Sequence, residues 1–325
     1  MKLPAILRTM VGATAAIAAV LLAAVPALAH GDEAPAPELP GVLLAWRLDP
    51  IPIVCAALAA AAYLWAVRHV AASHPQNRPP AWRTAAFLAG LVAILVALVS
   101  PIEAYEGSLF SVHMVQHMLL ELVAAPLLLL GAPTTLALRA VSAAWRRRLL
   151  WLLRSRGVAL LTFPLLTWIL FAAVNWGWHF STLYDQALEN EPLHYFQHAT
   201  FLVAALLFWW PVVGADPGRW RLPYPVRLFY LFLAMPQNSF LGVALMSAGA
   251  PLYPHYASNL RAWGPSVMAD QNLGGILMWV FGDVVFLVAM GAVVAAWVRY
   301  EDRRTARLDA RLDAEQATRE GRAIG

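Results

Sequence analysis

Long apolar stretches separated by short polar connections fill most of this chain. Seven of them, near 48–70, 82–101, 111–130, 158–177, 194–213, 225–247 and 273–298, are each close to the ~20 residues that an α-helix needs to cross a bilayer. A further apolar run, Val11 to Val25, follows Lys2 and Arg8 and precedes Ala27-Leu28-Ala29, so residues 1–29 read as a secretory signal with a small-x-small cleavage site. Residues 30–44 form a Pro- and acid-rich linker, 45–298 the membrane domain, and 299–325 a tail that mixes Arg with Asp and Glu at helical spacing. The pattern predicts an all-α fold, a polytopic transmembrane helical bundle of about seven spans, with no internal repeat and no soluble domain.

Charge orients the bundle. Arg68, Arg78 and Arg83 fall in one connection, Arg139, Arg146, Arg147, Arg148, Arg154 and Arg156 in another, Arg219, Arg221 and Arg227 in a third, and Arg299, Arg303, Arg304 and Arg307 open the tail. The connections between these are arginine-poor and carry Glu103, Glu106, Asp185, Glu189, Glu191 and Asp270. The positive-inside rule makes the arginine-rich set cytoplasmic, with the N-terminus outside and the C-terminus inside. The signal segment predicts the same orientation. The tail continues the last span as a solvated helix, and its basic start reads as an ordinary topological anchor, with contact to anionic lipid as the alternative.

Composition narrows the chemistry. Of 325 residues, 61% are hydrophobic and 13% charged, against about a quarter charged in soluble proteins. The net charge of +4 comes from orienting arginines and is no signal for nucleic acid; the surroundings expected for this chain are a lipid bilayer. Lys2 is the only lysine, which excludes a retinal protein, because that needs a lysine inside a span for its Schiff base. Cys55 is the only cysteine, so an intrachain disulfide or a thiolate cluster is excluded. Metal chemistry must use His, Met, carboxylates or backbone.

Two pairs of one form, His113-Met-Val-Gln-His117 and His194-Tyr-Phe-Gln-His198, open the third and fifth spans. An i,i+4 pair lies on one helix face, and the charge pattern puts both pairs on the outer side. His179 follows Trp176-Gly177-Trp178 where the fourth span reaches that side, so three helices bring five imidazoles together. His69 and His74 lie in a cytoplasmic loop, whereas His30 and His255 join the five on the outer side. Ionisable groups inside a membrane are costly and mark functional sites. The competing reading is a set of buried imidazoles hydrogen-bonded between helices.

Imidazole suits Zn, Cu, Fe and Ni, and thioether favours Cu(I). Met114 and Met118 adjoin the first pair, and Met246, Met268 and Met278 fall near the outer side. The donors point to copper. Met114 and Met118 are rotated about 100° from the neighbouring histidines, so packing on other helices is their alternative role. Glu121, four residues beyond His117, reads as a ligand or proton acceptor below the histidines, or as a protonated acid paired with another buried polar group. Asp283, with Gln237 and Asn238, reads as an interhelical hydrogen-bond network or a proton path. His30 would become the first residue after cleavage, where an α-amine and an imidazole can chelate copper together.

The ordered motifs resemble a known family. They are His113-Met-Val-Gln-His117-Met-Leu-Leu with Ala125-Pro126 and Gly131-Ala132-Pro133, then Trp178-His179, Leu183-Tyr184 and His194 to His198. Phe208-Trp209-Trp210-Pro211, Arg227 to Phe232, Pro251-Leu252-Tyr253-Pro254, Asp270 to Gly275 and Met278-Trp279 continue the series. Over roughly residues 45–300 the chain resembles the CtaG-type assembly factors of caa3-type cytochrome c oxidases. It does not resemble the single-span, cysteine-based copper-delivery family that shares the name. The resemblance implies a multi-pass protein of the bacterial cytoplasmic (inner) membrane that is not an enzyme. Its partners would be cytochrome c oxidase subunits, and its metal positions carry over to His113, His117, His179, His194 and His198. Glu121 and Phe281-Gly282-Asp283 depart from the family pattern, which has an apolar residue at the first place and a Pro-Gly type break at the second.

Three rivals remain at this stage. A single haem clamped by two axial histidines is one; two stacked haems are excluded because i,i+4 separates the rings by only about 6 Å along the axis. A copper permease would need ligands continuing to the cytoplasmic side, and none is evident beyond His117, Glu121 and Asp283. A metal-free scaffold for oxidase subunits is the third.

Overall fold

The computed structural model describes residues 36–259 and 261–324, with side-chain surroundings as far as residue 316. The expected signal segment and His30 lie outside the described residues. The helices that matter for the site are α1 (Pro50–Ser73), α2 (Ala81–Tyr105), α3 (Phe110–Ala140), α4 (Pro164–His179), α5 (Glu191–Val213), α6 (Tyr224–Met246) and α7 (Val267–Ile324). Among the described residues no strand occurs, and six helices, all of these except α4, are long and apolar enough to cross a membrane.

The fourth expected span is not one helix. A short helix, Arg156–Leu161, ends at Thr162; Phe163 is extended (φ −67°, ψ 124°) and Pro164 opens α4. Proline lacks an N–H and pushes the residue before it out of the helical region, so the apolar run 158–177 divides there. The 16 residues left in α4 reach about 24 Å, short of the roughly 30 Å hydrocarbon core. The last helix differs in the other direction. It begins at Val267, well before the expected 273, and runs unbroken through the charged tail to Ile324.

Surface and core reverse the soluble pattern. Leu160, Leu165, Phe196, Phe240 and Val288 are more than half exposed, as expected when lipid is the solvent. Inside, Phe208, Trp209, Leu231, Leu241 and Phe286 make one core with the aromatic residues beside the histidines. Contact between α6 and α7 is close because both are glycine at the crossing. A Cβ on Gly242 would lie 2.6 Å from the Gly275 carbonyl, so backbone packs on backbone as in membrane helix pairs with small residues.

Two devices position α3, which carries the first histidine pair. At its start, Asp270 of α7 accepts hydrogen bonds from Phe110 N (2.7 Å), Ser111 N (3.4 Å) and Ser111 Oγ (2.5 Å). A carboxylate there satisfies the open N–H groups of the first turn and opposes the helix dipole. Within α3, residues Leu119–Ala124 form a π-helical turn, in which Ala125 N bonds Leu120 O, five residues back. In that pattern the Glu121 carbonyl would pair with residue 126. Pro126 has no N–H to give, and the indole N–H of Trp209 on α5 takes the carbonyl at 2.9 Å. The widened turn thereby ties the histidine helix to α5, in keeping with the frequent place of such turns at functional sites.

Candidate metal centre

All five expected histidines meet at one end of the bundle. His113, His117, His179, His194 and His198 come from α3, α4 and α5, each no more than 6% exposed. His113 and His117 are linked Nε2 to Nε2 at 2.8 Å. The rings of His113 and His194 are 5.4 Å apart, those of His117 and His198 5.6 Å, and those of His117 and His179 6.4 Å. Interhelical packing, more than periodicity alone, makes the two i,i+4 faces converge.

Two overlapping groups have ligand geometry. His113, His117 and His198 form one; Glu106, His113 and His194 form the other, and in each the ligand atoms lie within 4.8 Å of one another. His113 belongs to both. Glu106 stands in the turn between α2 and α3 and is buried; its Oε2 is 3.1 Å from His113 Nδ1 and 3.9 Å from His194 Nε2. A carboxylate holding the far nitrogen of an imidazole fixes the ring and its tautomer, which is how ligating histidines are supported.

Polar neighbours set the remaining orientations. Tyr256 Oη lies 3.0 Å from His113 Nδ1 and donates to the Glu106 carbonyl at 2.9 Å. Burial, with the Glu106 carboxylate adding, pushes the Tyr256 phenol well above its usual range, so this donor keeps its proton. Burial does the same for Tyr184, whose ring lies 5.2 Å from that of His113. Gln116, inside the first pair, gives its amide N–H groups to Glu103 Oε2 (2.5 Å) and the Ala97 carbonyl (3.0 Å) and turns its oxygen to His198 Nε2 at 3.1 Å. His179 Nδ1 faces the Asn175 carbonyl at 2.7 Å.

The accessory candidates divide. Met114 Sδ is 3.4 Å from His179 Nε2, and Met118 and Glu121 line a small cavity below the histidines. Asp283 lies elsewhere: it accepts from Ser239 Oγ at 2.8 Å, while Asn238 donates to the Met278 carbonyl at 2.7 Å. That is a tie between α6 and α7. His255 is also apart, with Nε2 on the Gly107 carbonyl at 3.0 Å. Sequence reasoning missed Glu106, Gln116, Asn175 and Tyr256. A signal existed for two of them: Glu106 sits in the short connection just ahead of the first pair, and glutamine precedes the second histidine in both pairs.

Known proteins resemble this chain over most of its length. The family model for the cytochrome c oxidase caa3 assembly factor matches residues 61–300. An uncharacterized protein of Mycobacterium bovis is 35% identical over 289 residues, covering 86% of this chain and 43% of that protein. One of Mycobacterium leprae is 32% identical over 293 residues, covering 86% and 44%. The chain thus spans less than half the length of these curated relatives. No solved structure matches it.

Proposed function

The chain belongs to the cytochrome c oxidase caa3 assembly factor family, and on that premise we propose that it holds copper at its histidine end and assists delivery of the ion to the oxidase. Copper is cargo in this reading, and the protein catalyses no reaction. In this reading the histidine end faces outward from the bacterial cytoplasmic membrane, an orientation that the arginine pattern supports. The partner is an oxidase subunit whose own copper ligands take the ion by exchange.

One observation carries the reading: imidazoles from α3 and α5 converge with Glu106 in two overlapping groups of three ligand atoms, all buried. The donor set fits copper. Imidazole suits Cu, Zn, Ni and Fe, and adjacent thioether shifts the choice to Cu(I). The His113–His117 pair fits with a small adjustment. Its two Nε2 atoms are 2.8 Å apart, whereas two bonds of about 2.0 Å in a tetrahedral site need about 3.3 Å. Opening by half an ångström would admit the ion, with the shared proton moving to His117 Nδ1, which has no other partner. Without thiolates the hold is exchangeable, which suits transfer.

A second reading, a metal-free scaffold, draws on the hydrogen bonds that already engage His113, His179 and His198. One experiment separates the two. Cells whose only copy carries alanine at all five histidines are assayed for oxidase subunits, oxidase copper and oxidase activity. The copper reading expects subunits present but copper-deficient, with partial rescue by added copper. Fully assembled, copper-replete oxidase supports the scaffold and overturns the copper reading. A Soret band in the purified parent protein would identify the haem alternative.

A further inference from the structure

Below the histidine pairs, a cavity of about 20 Å³ is lined by Met114, Met118, Met278, His117, His179 and Glu121. That is room for one water or one ion. Three methionines and two histidines lining so small a space, with Asn175 and Asn238 beside them, call for an account of which atoms carry protons.

Each imidazole keeps one nitrogen bare. A carbonyl only accepts, so His179 Nδ1, 2.7 Å from the Asn175 carbonyl, carries the proton and Nε2 is bare. That bare nitrogen lies 3.4 Å from Met114 Sδ, which has no proton to offer. For His117 the assignment runs through three groups. Tyr256 donates to the Glu106 carbonyl, so His113 Nδ1 is the donor towards Tyr256 Oη and the Glu106 carboxylate. His113 Nε2 then accepts the 2.8 Å bond from His117 Nε2. His117 Nδ1 is left bare, and it is buried with no hydrogen-bond partner. Nor do the Asn175 N–H groups help, since they are engaged by Glu121 Oε2 (2.9 Å) and the Phe171 carbonyl (3.0 Å).

We propose that this cavity is a second, deeper station for Cu(I), held by His117 Nδ1, His179 Nε2 and the thioethers of Met114, Met118 and Met278. Thioether is a poor partner for water and a good one for Cu(I). The inference rests on the copper reading and adds a distinct ligand set to it. His117 belongs to both stations, through Nε2 above and Nδ1 below. An ion would pass between them by ligand substitution: the Cu–N bonds above break as bonds to His117 Nδ1, His179 Nε2 and the thioethers form, and the His117 proton moves from Nδ1 to Nε2, with no change of oxidation state.

The test uses full-length, detergent-purified protein in which every methionine is selenomethionine, loaded with Cu(I) under anaerobic conditions. X-ray absorption at the copper and selenium edges is expected to show Cu–Se scattering. Binding in a His194→Ala/His198→Ala variant is expected to retain that signal. A Met114→Leu/Met118→Leu/Met278→Leu variant, with its helicity checked by circular dichroism, is expected to lose the Cu–Se scattering and keep the nitrogen-bound copper. Copper bound through nitrogen alone in the labelled parent overturns the second station and leaves the histidine site standing. No bound copper in the parent overturns both. Should the leucine variant misfold, the Cu–Se signal of the parent decides by itself.

Discussion

His113 and His117 face each other nitrogen to nitrogen, Nε2 to Nε2 at 2.8 Å, inside a fully protein-lined site. One proton lies between the two nitrogens, and a metal ion bound to both must displace it. The proton passes to His117 Nδ1, which has no other partner, so both rings bind as neutral imidazoles and no net proton is released. Protons compete with the ion only where the imidazoles themselves protonate. Copper affinity is therefore expected to fall as the solution is acidified and to level off once the free imidazoles are neutral. Competition titrations against a Cu(I) chelator at several pH values measure the profile. An affinity that does not fall on acidification contradicts a site built on imidazole.

His113 is common to both ligand groups, and Glu106 orients it. Glu106→Gln keeps the shape and removes the charge, and loss of such support costs about 10–100-fold in affinity. His113→Ala removes a ligand outright and is expected to cost at least as much. His255→Ala is the control, because His255 bonds the Gly107 carbonyl away from the cluster; its affinity is expected to match the parent. Equilibrium dialysis with Cu(I) compares the three.

Asp270 joins α7 to the first turn of α3 through Phe110 and Ser111. Asp270→Ala uncaps the histidine helix and leaves buried N–H groups without a partner, at a cost of about 1–3 kcal/mol. Thermal unfolding in detergent is expected to show the loss, with weakened copper binding beside it. An unchanged unfolding temperature contradicts the positioning role.

Much of this was legible in the sequence, and the failures have physical causes. Runs of apolar residues with arginine-rich ends place α1, α2, α5 and α6 to within a few residues, since bilayer thickness constrains them directly. The fourth run is apolar throughout, and hydropathy does not register Pro164, whose missing N–H divides it into two helices. Asp270-Gln271 reads as loop by polarity, yet both residues belong to α7, where Asp270 caps α3 and Gln271 bonds Leu252 N and the Leu245 carbonyl. The paired histidines were legible from spacing. Glu106 left only a weak signal, its place just ahead of the first pair, and Tyr256 none, because both reach His113 from connections whose path is set by tertiary packing.

Gly242 and Gly275 set the distance between α6 and α7. At Gly275 a Cβ would stand 2.6 Å from Met246 Cγ and 2.8 Å from the Gly242 carbonyl. Gly275→Val must force the helices apart, costing about 1–3 kcal/mol or more, and α7 carries Asp270 and Met278 with it. Lower thermal stability together with reduced copper binding is expected; a parent-like protein contradicts the close crossing.

The most direct test of the central claim is the copper content and Cu(I) affinity of detergent-purified protein, compared with a His113→Ala/His117→Ala/His194→Ala/His198→Ala variant whose fold is verified by circular dichroism. Stoichiometric copper in the parent, lost in the folded variant, is the predicted result. Equal and negligible copper in both contradicts the account and leaves the metal-free scaffold in its place.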